Sequence, residues 1–552
     1  MASSDASAQV STKVAPLDEL ELDPEVEVDE LEEPEQTEDL GGDDDDDDDD
    51  DEVAEDDEFP YPDSLEAVPS GISLSRTVTN ASRPGRKIRA SITTRLVGNL
   101  QRESQAKASW VTGILFFDHD PGFERVQSVV AERLMVMPRF RARMKARSFP
   151  LPQKFHFVEV NLEDFDIDYH LQKVLADGDT PPTTNDVIHF VENMYNGWEP
   201  DLSKPLWQLL YVPRLDDGRA CLITKISHAI GDGVSQIEVL MRMLDPASDE
   251  DEAAMIQASR PPMKRKKKAT FGPLNRTRIF LGGLWSGVFN VFSASDPPNS
   301  LRPKNTSDVS GERRFAFTEK VPLPRMKEVK NKLEGATLND VLILLLTLTM
   351  REYFIEAGDE AALSGAKVSA QFPISTRSRG EDPFRDDDPR NQFSYGFLKF
   401  YVTFKGSNID LFWKIKRDLD KIKMSPAPFV TTRTAKVLVP ILPLKVSNST
   451  VLQAANKATA QLSNVAAPAH AVKIAGARVT DMSFLIFSPL ALYVGILSYN
   501  NNVSASVCLD ANLGVDPNLV AKHWGPQFEA FYEEVMSHDG MISSRRSCLD
   551  CF

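Results

Sequence analysis

Nine consecutive aspartates, Asp43 to Asp51, limit what this chain can fold. They sit in a stretch, residues 1–60, with 28 acidic side chains against one base, Lys13, a charge of -27. Like-charge repulsion is strong there and apolar surface is scarce, so burial cannot offset the entropy of ordering the backbone. The sequence predicts a disordered, solvated tail over 1–65, with docking or cation binding as its alternative role. The formal charge of the whole chain is -20, so the rest carries +7 and is mildly basic. Taken whole, the charge points away from anionic surfaces; taken in parts, it points toward them.

About 490 residues remain, 41% of the chain being hydrophobic, enough for several domains with their own cores. The four cysteines, Cys221, Cys508, Cys548 and Cys551, are too few for a disulfide framework and predict a reducing compartment. No basic stretch followed by an apolar one opens the chain, so a cytosolic start is expected. Cys548 and Cys551 lie at the wrong offset for a prenylation box, which leaves reversible acylation as the modification to consider.

Patterned sequence begins near Trp110. Gly113 to Phe117 reads as a buried strand, and Phe123 to Met137 spaces Val126, Val129, Val130, Leu134 and Met137 as one helix face. Ala220 to Ser227 predicts a strand, Ala229 to Gly233 a tight turn, and Val234 to Leu244 a helix. Residues 246–310 mix acidic, basic and Pro/Ser/Asn-rich sequence and read as a crossover. Beyond it come an apolar helix, Leu338 to Phe354, a strand, Lys367 to Ile374, and a polar Arg/Asp-rich loop, Ser375 to Asn391. The longest apolar run, Met482 to Tyr499, contains Ser488-Pro489. It continues through Asn500, Asn501 and Asn502 into Val503 to Leu509, so a core hairpin is expected rather than a membrane span.

No GxSxG, Walker, GxGxxG or HExxH string and no second CxxC appears, which removes the commonest hydrolase, nucleotide and zinc readings. What is present is His228-Ala-Ile-Gly-Asp232-Gly233, between a predicted strand and a predicted helix. An imidazole titrating near 6.5 can take the proton of an alcohol as it attacks an activated acyl carbon, an effect typically worth about 10²- to 10⁴-fold. Asp232 is suited to locking the turn through hydrogen bonds or an arginine ion pair. Gly231 and Gly233 suit a sharp turn with a long ligand passing close by. A histidine satisfied inside the core is the competing reading of the same string.

Separated stretches in order extend the pattern. They are Pro138-Arg-Phe-Arg141, Phe165-Asp-Ile-Asp-Tyr-His170, Asp201 to Trp207, His228 to Gly233, Ala336-Thr-Leu-Asn-Asp340, Asn391-Gln392, Ser463-Asn-Val465 with Pro468, and Ser488-Pro489-Leu490. Together they resemble the bifunctional wax ester synthase/diacylglycerol acyltransferases, within the CoA-dependent acyltransferase superfamily, over about residues 95–537. The resemblance implies an α/β fold of two chloramphenicol-acetyltransferase-like subdomains, each a mixed sheet with flanking helices, and a reaction tunnel between them. The chain would then divide into the tail 1–65, a first subdomain 66–245, a crossover linker 246–310, a second subdomain 311–537 and a C-terminal tail 538–552.

The implied activity is transfer of a long-chain acyl group from acyl-CoA, a co-substrate with no cofactor or metal, to a fatty alcohol or diacylglycerol. On that mapping His228 is the base, Asp232 holds its turn and Gly233 lies beside the acyl-CoA channel. Pro205, Leu206 and Trp207 match one substrate-binding motif, Asn339 and Asp340 another, and Asn464 a third. Helix-start amides near Asn339 are the expected oxyanion donors.

Two departures stand out: Ser227 replaces the first of two tandem histidines, and Asn464-Val-Ala-Ala-Pro468 lacks a Pro and a Gly of the usual string. The acidic extension is additional to the compact bacterial form. Water-insoluble acceptors imply a membrane surface or lipid droplet as partner, met through Lys264–Lys268 and the apolar stretch Ile279–Phe292. The expected location is the cytosolic face of a membrane, the endoplasmic reticulum, with peripheral attachment and no nucleic-acid partner. Two readings compete: a related acyltransferase with another hydroxyl acceptor, and a weakly active relative acting as a lipid-surface interaction protein. The absence of DFGWG speaks against the BAHD branch.

Overall fold

The computed structural model describes residues 82–90, 110–146, 155–251, 295–424 and 456–544, with short breaks at 177, 179, 197, 306–307, 378–383, 386–387, 454–455 and 489, and also residue 453. The acidic tail, Lys264–Lys268, Ile279–Phe292, Cys548 and Cys551 lie outside the described residues.

Two seven-stranded sheets organise the rest. The first is built from β1 (Trp110–Phe117), β2 (Leu171–Lys173), β3 (Trp207–Val212), β4 (Ala220–Ser227) and β5 (Asp245–Pro246), joined by β11 (Val472–Ile474) and β12 (Ala477–Ile486) from much later in the chain. Its order is β2-β3-β4-β1-β12-β11-β5. β4 is an interior strand next to the central β1, antiparallel to both β3 and β1, and every position but Thr224 is buried, as its continuous apolar run requires. Helices α1 (Phe123–Val129), α2 (Thr184–Asn193) and α3 (Gly233–Met243) belong to this half. The helix expected over Phe123 to Met137 changes pitch midway, passing into a π-helical stretch at Val130–Leu134 that keeps Val130, Ala131 and Leu134 inside.

The second sheet runs β7 (Val321–Pro322), β14 (Asn502–Asp510), β13 (Leu492–Tyr499), β10 (Ala460–Ala466), β8 (Val368–Ser375), β9 (Phe393–Phe400), with β6 (Arg313–Phe317) also paired to β14. Asn500 and Asn501, both with left-handed φ of 45° and 57°, make the two-residue turn of the β13–β14 hairpin, and Tyr499 pairs directly with Asn502. The apolar run Met482 to Tyr499 is thus the end of β12 and all of β13. Among the described residues no helix is long and apolar enough to cross a membrane. Helices α4 (Leu323–Lys332), α5 (Leu338–Glu356), α6 (Asn408–Met424) and α7 (Trp524–Met536) pack together in this half. Thirteen of the 19 residues of α5 are buried, matching a helix apolar on nearly every side.

Sheet membership departs from the expected division at 311. β12 pairs antiparallel with β1, Phe484 opposite Gly113, so the second half of the chain supplies part of the first sheet. The same core cluster accordingly gathers Trp110, Phe140 and Trp207 with Tyr493, Leu497 and Cys508. The crossover linker is also partly built in: Asp296 is buried and accepts bonds from the amides and hydroxyls of Ser369 and Thr459. At the other end Ile542 exchanges backbone bonds with Lys332 and Glu334, so the C-terminal tail starts later than 538.

Candidate active site

Trp110, the first residue of the central β1, pairs with Ser227, the last residue of β4, so His228 leaves an interior strand at its very end. The turn that follows is held from behind. Ser227 is fully buried, and its hydroxyl accepts from the Ala229 amide while its carbonyl accepts from Ile230. A serine at this position therefore stabilises the turn directly. Asp232 is the N-cap of α3, its carboxylate accepting from the Ser235 amide at 3.1 Å.

The turn is clamped from the second half by the polar segment after β8. Arg377 donates to Asp232 at 2.7 Å, with both side chains only 5% exposed, and also to the Ser235 hydroxyl (3.0 Å) and the Arg390 carbonyl (2.7 Å). The Gln392 amide gives Asp232 a further donor at 2.7 Å. Neither Gly231 nor Gly233 has a positive φ. Gly231 is needed for close approach instead: a β-carbon there would lie 2.9 Å from Ser235 Cβ and 3.2 Å from Pro389 Cβ. At Gly233 the nearest atom to such a carbon is Val465 Cγ2, at 3.9 Å, an ordinary contact distance, so a β-carbon there would meet no clash.

His228 itself is only partly buried. Its Nδ1 lies 3.2 Å from Asn391 Oδ1, and Asn391 Nδ2 donates to the carbonyls of His228 (2.9 Å) and Ala229 (3.4 Å). Among the described residues Nε2 meets no hydrogen-bond partner. Loss of hydration pushes the imidazole below its ordinary value of 6.5, opposed by the Asp232 charge, its own backbone carbonyl and Asn391. The ring is therefore neutral at physiological pH. Phe393 stands 5.3 Å from His228 ring to ring, and Tyr395, two residues on along β9, stands 5.3 Å from Phe393. Tyr395 is 39% exposed, yet loss of hydration by the surrounding protein drives its phenol up to about 12.

The chain matches the model of the "Wax ester synthase/diacylglycerol acyltransferase catalytic domain" over residues 99–342 and that of the "WS/DGAT C-terminal domain" over 390–531, together more than half its length. It belongs to the wax ester synthase/diacylglycerol acyltransferase family. Two listed relatives of that family are "Wax ester synthase/diacylglycerol acyltransferase 11" of Arabidopsis thaliana and "Probable diacyglycerol O-acyltransferase tgs2" of Mycobacterium tuberculosis. The first is 25% identical, covering 58% of this chain and 71% of the relative; the second is 29% identical, covering 39% and 48%. The chain thus spans about half the length of its mycobacterial relatives. The solved wax ester synthase/diacylglycerol acyltransferase of Marinobacter aquaeolei VT8 shares the fold, with a TM-score of 0.54 at 17% identity over 81% of this chain and all of that one.

Within this family member the residues singled out by sequence fall into three groups. His228, Asp232 and Gly233 share the turn just described. Pro205, Leu206 and Trp207 are all buried and lead into β3, beside β4 in the same sheet. The Leu206 carbonyl accepts from Ser227, and Trp207 donates from Nε1 to the Phe140 carbonyl at 2.8 Å. The Trp207 carbonyl meets His170 Nδ1 at 2.7 Å, and its ring stacks on that of His170, 4.4 Å away, with Phe165 4.7 Å from the His170 ring and 6.3 Å from that of Trp207. Burial holds His170 neutral, at about 4. What the structure shows of this trio is support for the strand that carries His228.

Asn339, Asp340 and Asn464 form the third group. Asn464 donates to Asn339 at 3.1 Å, joining β10 to the start of α5, and the neighbouring Val465 is the residue that faces Gly233. Asp340 is fully buried in a capping box with Thr337 and pairs with Lys423 at 2.9 Å and Lys416 at 3.8 Å. A carboxylate on that helix start opposes an oxyanion, so the expected oxyanion donors near Asn339 find no support in this geometry.

Sequence reasoning assigned no role to Arg377 and quoted Arg139 and Asn391 without one. Arg139 is 2% exposed, lies over the Phe157 ring at 4.8 Å, and donates to the carbonyls of Ile230 (3.0 Å) and Ala229 (3.5 Å), bracing the turn from the first half. Arg141 next to it forms a fully buried pair with Glu159 at 3.1 Å. The available signal was the polar Arg/Asp-rich loop 375–391 itself, which contains Arg377 and Asn391.

Proposed function

We propose that this protein transfers a long-chain fatty acyl group from acyl-CoA to the hydroxyl of a fatty alcohol or a diacylglycerol, with His228 as general base. The observation that carries this reading is the neutral, partly accessible His228, whose Nδ1 side is occupied and whose Nε2 side is not, in a member of this family.

Nε2 takes the acceptor's hydroxyl proton as its oxygen attacks the thioester carbonyl carbon. The tetrahedral intermediate then collapses, the C–S bond breaks, and the imidazolium returns the proton to the CoA sulfur. Ester and free CoA leave, and His228 is neutral again. Asp232 takes no proton in this scheme; tied to Arg377, it keeps the turn rigid enough for the attack geometry. The space beside Gly233 suits the pantetheine or acyl chain, and the Phe393–Tyr395 wall suits an alkyl chain. Such acceptors must come from a bilayer or droplet, so peripheral attachment at a cytosol-facing membrane, the endoplasmic reticulum, follows as part of the proposal. It draws on the basic Lys264–Lys268 and apolar Ile279–Phe292 segments.

The test is labelled palmitoyl-CoA incubated with either hexadecanol or dioleoylglycerol. Wild type forms ester and releases CoA, and His228→Ala loses at least about 10²-fold in rate. Equal turnover by the variant overturns the base assignment, and no product from either acceptor overturns the acceptor class.

A further inference from the structure

Resting on the reading of His228 as base, the geometry points to Asn391 as the residue that selects its tautomer, holding the proton on Nδ1 so that Nε2 presents a lone pair to the acceptor.

The two ends of the Asn391 side-chain amide are distinguished by what they face. The carbonyl oxygens of His228 and Ala229 can only accept hydrogen bonds, so the end of the Asn391 amide that faces both of them, at 2.9 and 3.4 Å, is the NH2 group. The other end is then the oxygen, and it faces His228 Nδ1 at 3.2 Å. An amide oxygen can only accept, so the neutral imidazole must carry its hydrogen on Nδ1, and Nε2 is left unprotonated. Asn391 is 2% exposed and follows the Arg390 carbonyl that Arg377 and Ser235 hold, so it cannot rotate away without dismantling the clamp.

The charged groups around the turn are Asp232, neutralised by Arg377, and Arg139, which donates to the carbonyls of Ala229 and Ile230. None of the three is bonded to the ring. Asn391 makes the one side-chain hydrogen bond to it among the described residues. It is a positioning residue: it touches the base, and acts on the substrate through it.

Two substitutions separate this role from simple support. Asn391→Ala removes the acceptor, and both tautomers become populated. The turnover number is expected to fall about 10²-fold while KM for palmitoyl-CoA stays within about twofold. Its acid limb should also move to lower pH, because the bond to Asn391 favours the protonated ring. Asn391→Asp keeps an acceptor but makes it an anion, which favours the imidazolium, so the acid limb should move to higher pH by about one unit. Part of the lost turnover should return above that limb.

Opposite shifts in the two variants, both folded by circular dichroism and thermal melting, support the assignment. Loss of turnover with the acid limb unmoved in both assigns Asn391 to structure only and overturns it, as does wild-type behaviour in both. His228→Ala assayed alongside keeps the two readings apart: if it remains active, the base itself is wrong, whereas an inactive His228→Ala with normal Asn391 variants removes only the tautomer role.

Discussion

Helices α3 and α5 both start at a buried aspartate held by basic side chains, but the cations come from different places. Asp232 caps α3 in the first half, and its partner Arg377 comes from the second. Asp340 sits in the first turn of α5, and Lys416 and Lys423 both come from α6, a neighbour within the same half. The chemistry differs in the same sense. An arginine fork satisfies Asp232, Ser235 and the Arg390 carbonyl in one fixed plane, whereas the lysines are flexible point charges, Lys423 being 44% exposed. The first arrangement fixes the relative position of two chain segments next to His228; the second keeps one helix end satisfied. The difference teaches that a buried aspartate alone does not mark an active site, and that where its cation comes from is the better guide.

Arg377→Met should break the first arrangement and produce the larger effect. It leaves the Asp232 carboxylate buried with only the Ser235 and Gln392 amides as donors, so the expected loss is about 3–5 kcal/mol of stability in chemical denaturation. Turnover should fall in the protein that remains folded, and Arg377→Lys should not restore it, because an ammonium cannot reproduce three planar contacts. A loss below about 1 kcal/mol with normal turnover would show that the clamp is redundant. Asp340→Ala is expected to cost less, about 2 kcal/mol, since both lysines it releases can reach water, and to leave turnover per folded molecule unchanged. If its turnover fell as far as that of Arg377→Met, the start of α5 would belong to the chemistry and the contrast between the two helices would fail.

These two sites also show what the sequence could and could not reveal. Asp340 entered there as part of a substrate-binding motif and its capping box came from the structure, but helix α5 itself was readable, because an apolar run of its length is a local pattern. So was the β13–β14 hairpin, where two apolar strands flank Asn500-Asn501. The strand, turn and helix around His228 were readable for the same reason. The Asp232–Arg377 pair joins residues 145 apart and Asn391 meets His228 across 163, and no periodicity encodes such a meeting. The insertion of β12 beside β1 is of the same kind. Trp207 is ambiguous in another way: a buried tryptophan beside the strand that carries His228 is under the same compositional constraint as one that touches a ligand, and only the structure shows its burial and its bond to Phe140.

The smallest expected effect concerns the Asn339–Asn464 pair, which links the start of α5 to β10 where Val465 faces Gly233. Asn464 is exposed and the bond is neutral, so Asn464→Ala should change stability by no more than about 0.5 kcal/mol. It adjoins Val465, which comes to ordinary contact distance of Gly233 on the His228 turn, so the same substitution should raise KM for dioleoylglycerol by a few-fold with the turnover number unchanged, the signature of binding energy shared equally by ground and transition states. A fall in turnover number instead would mean that the pair acts during the acyl transfer, which would bring α5 back toward the active site. An unchanged KM for dioleoylglycerol, with KM for palmitoyl-CoA raised, would place the acyl donor on this side of His228 and the acceptor along the Phe393–Tyr395 wall.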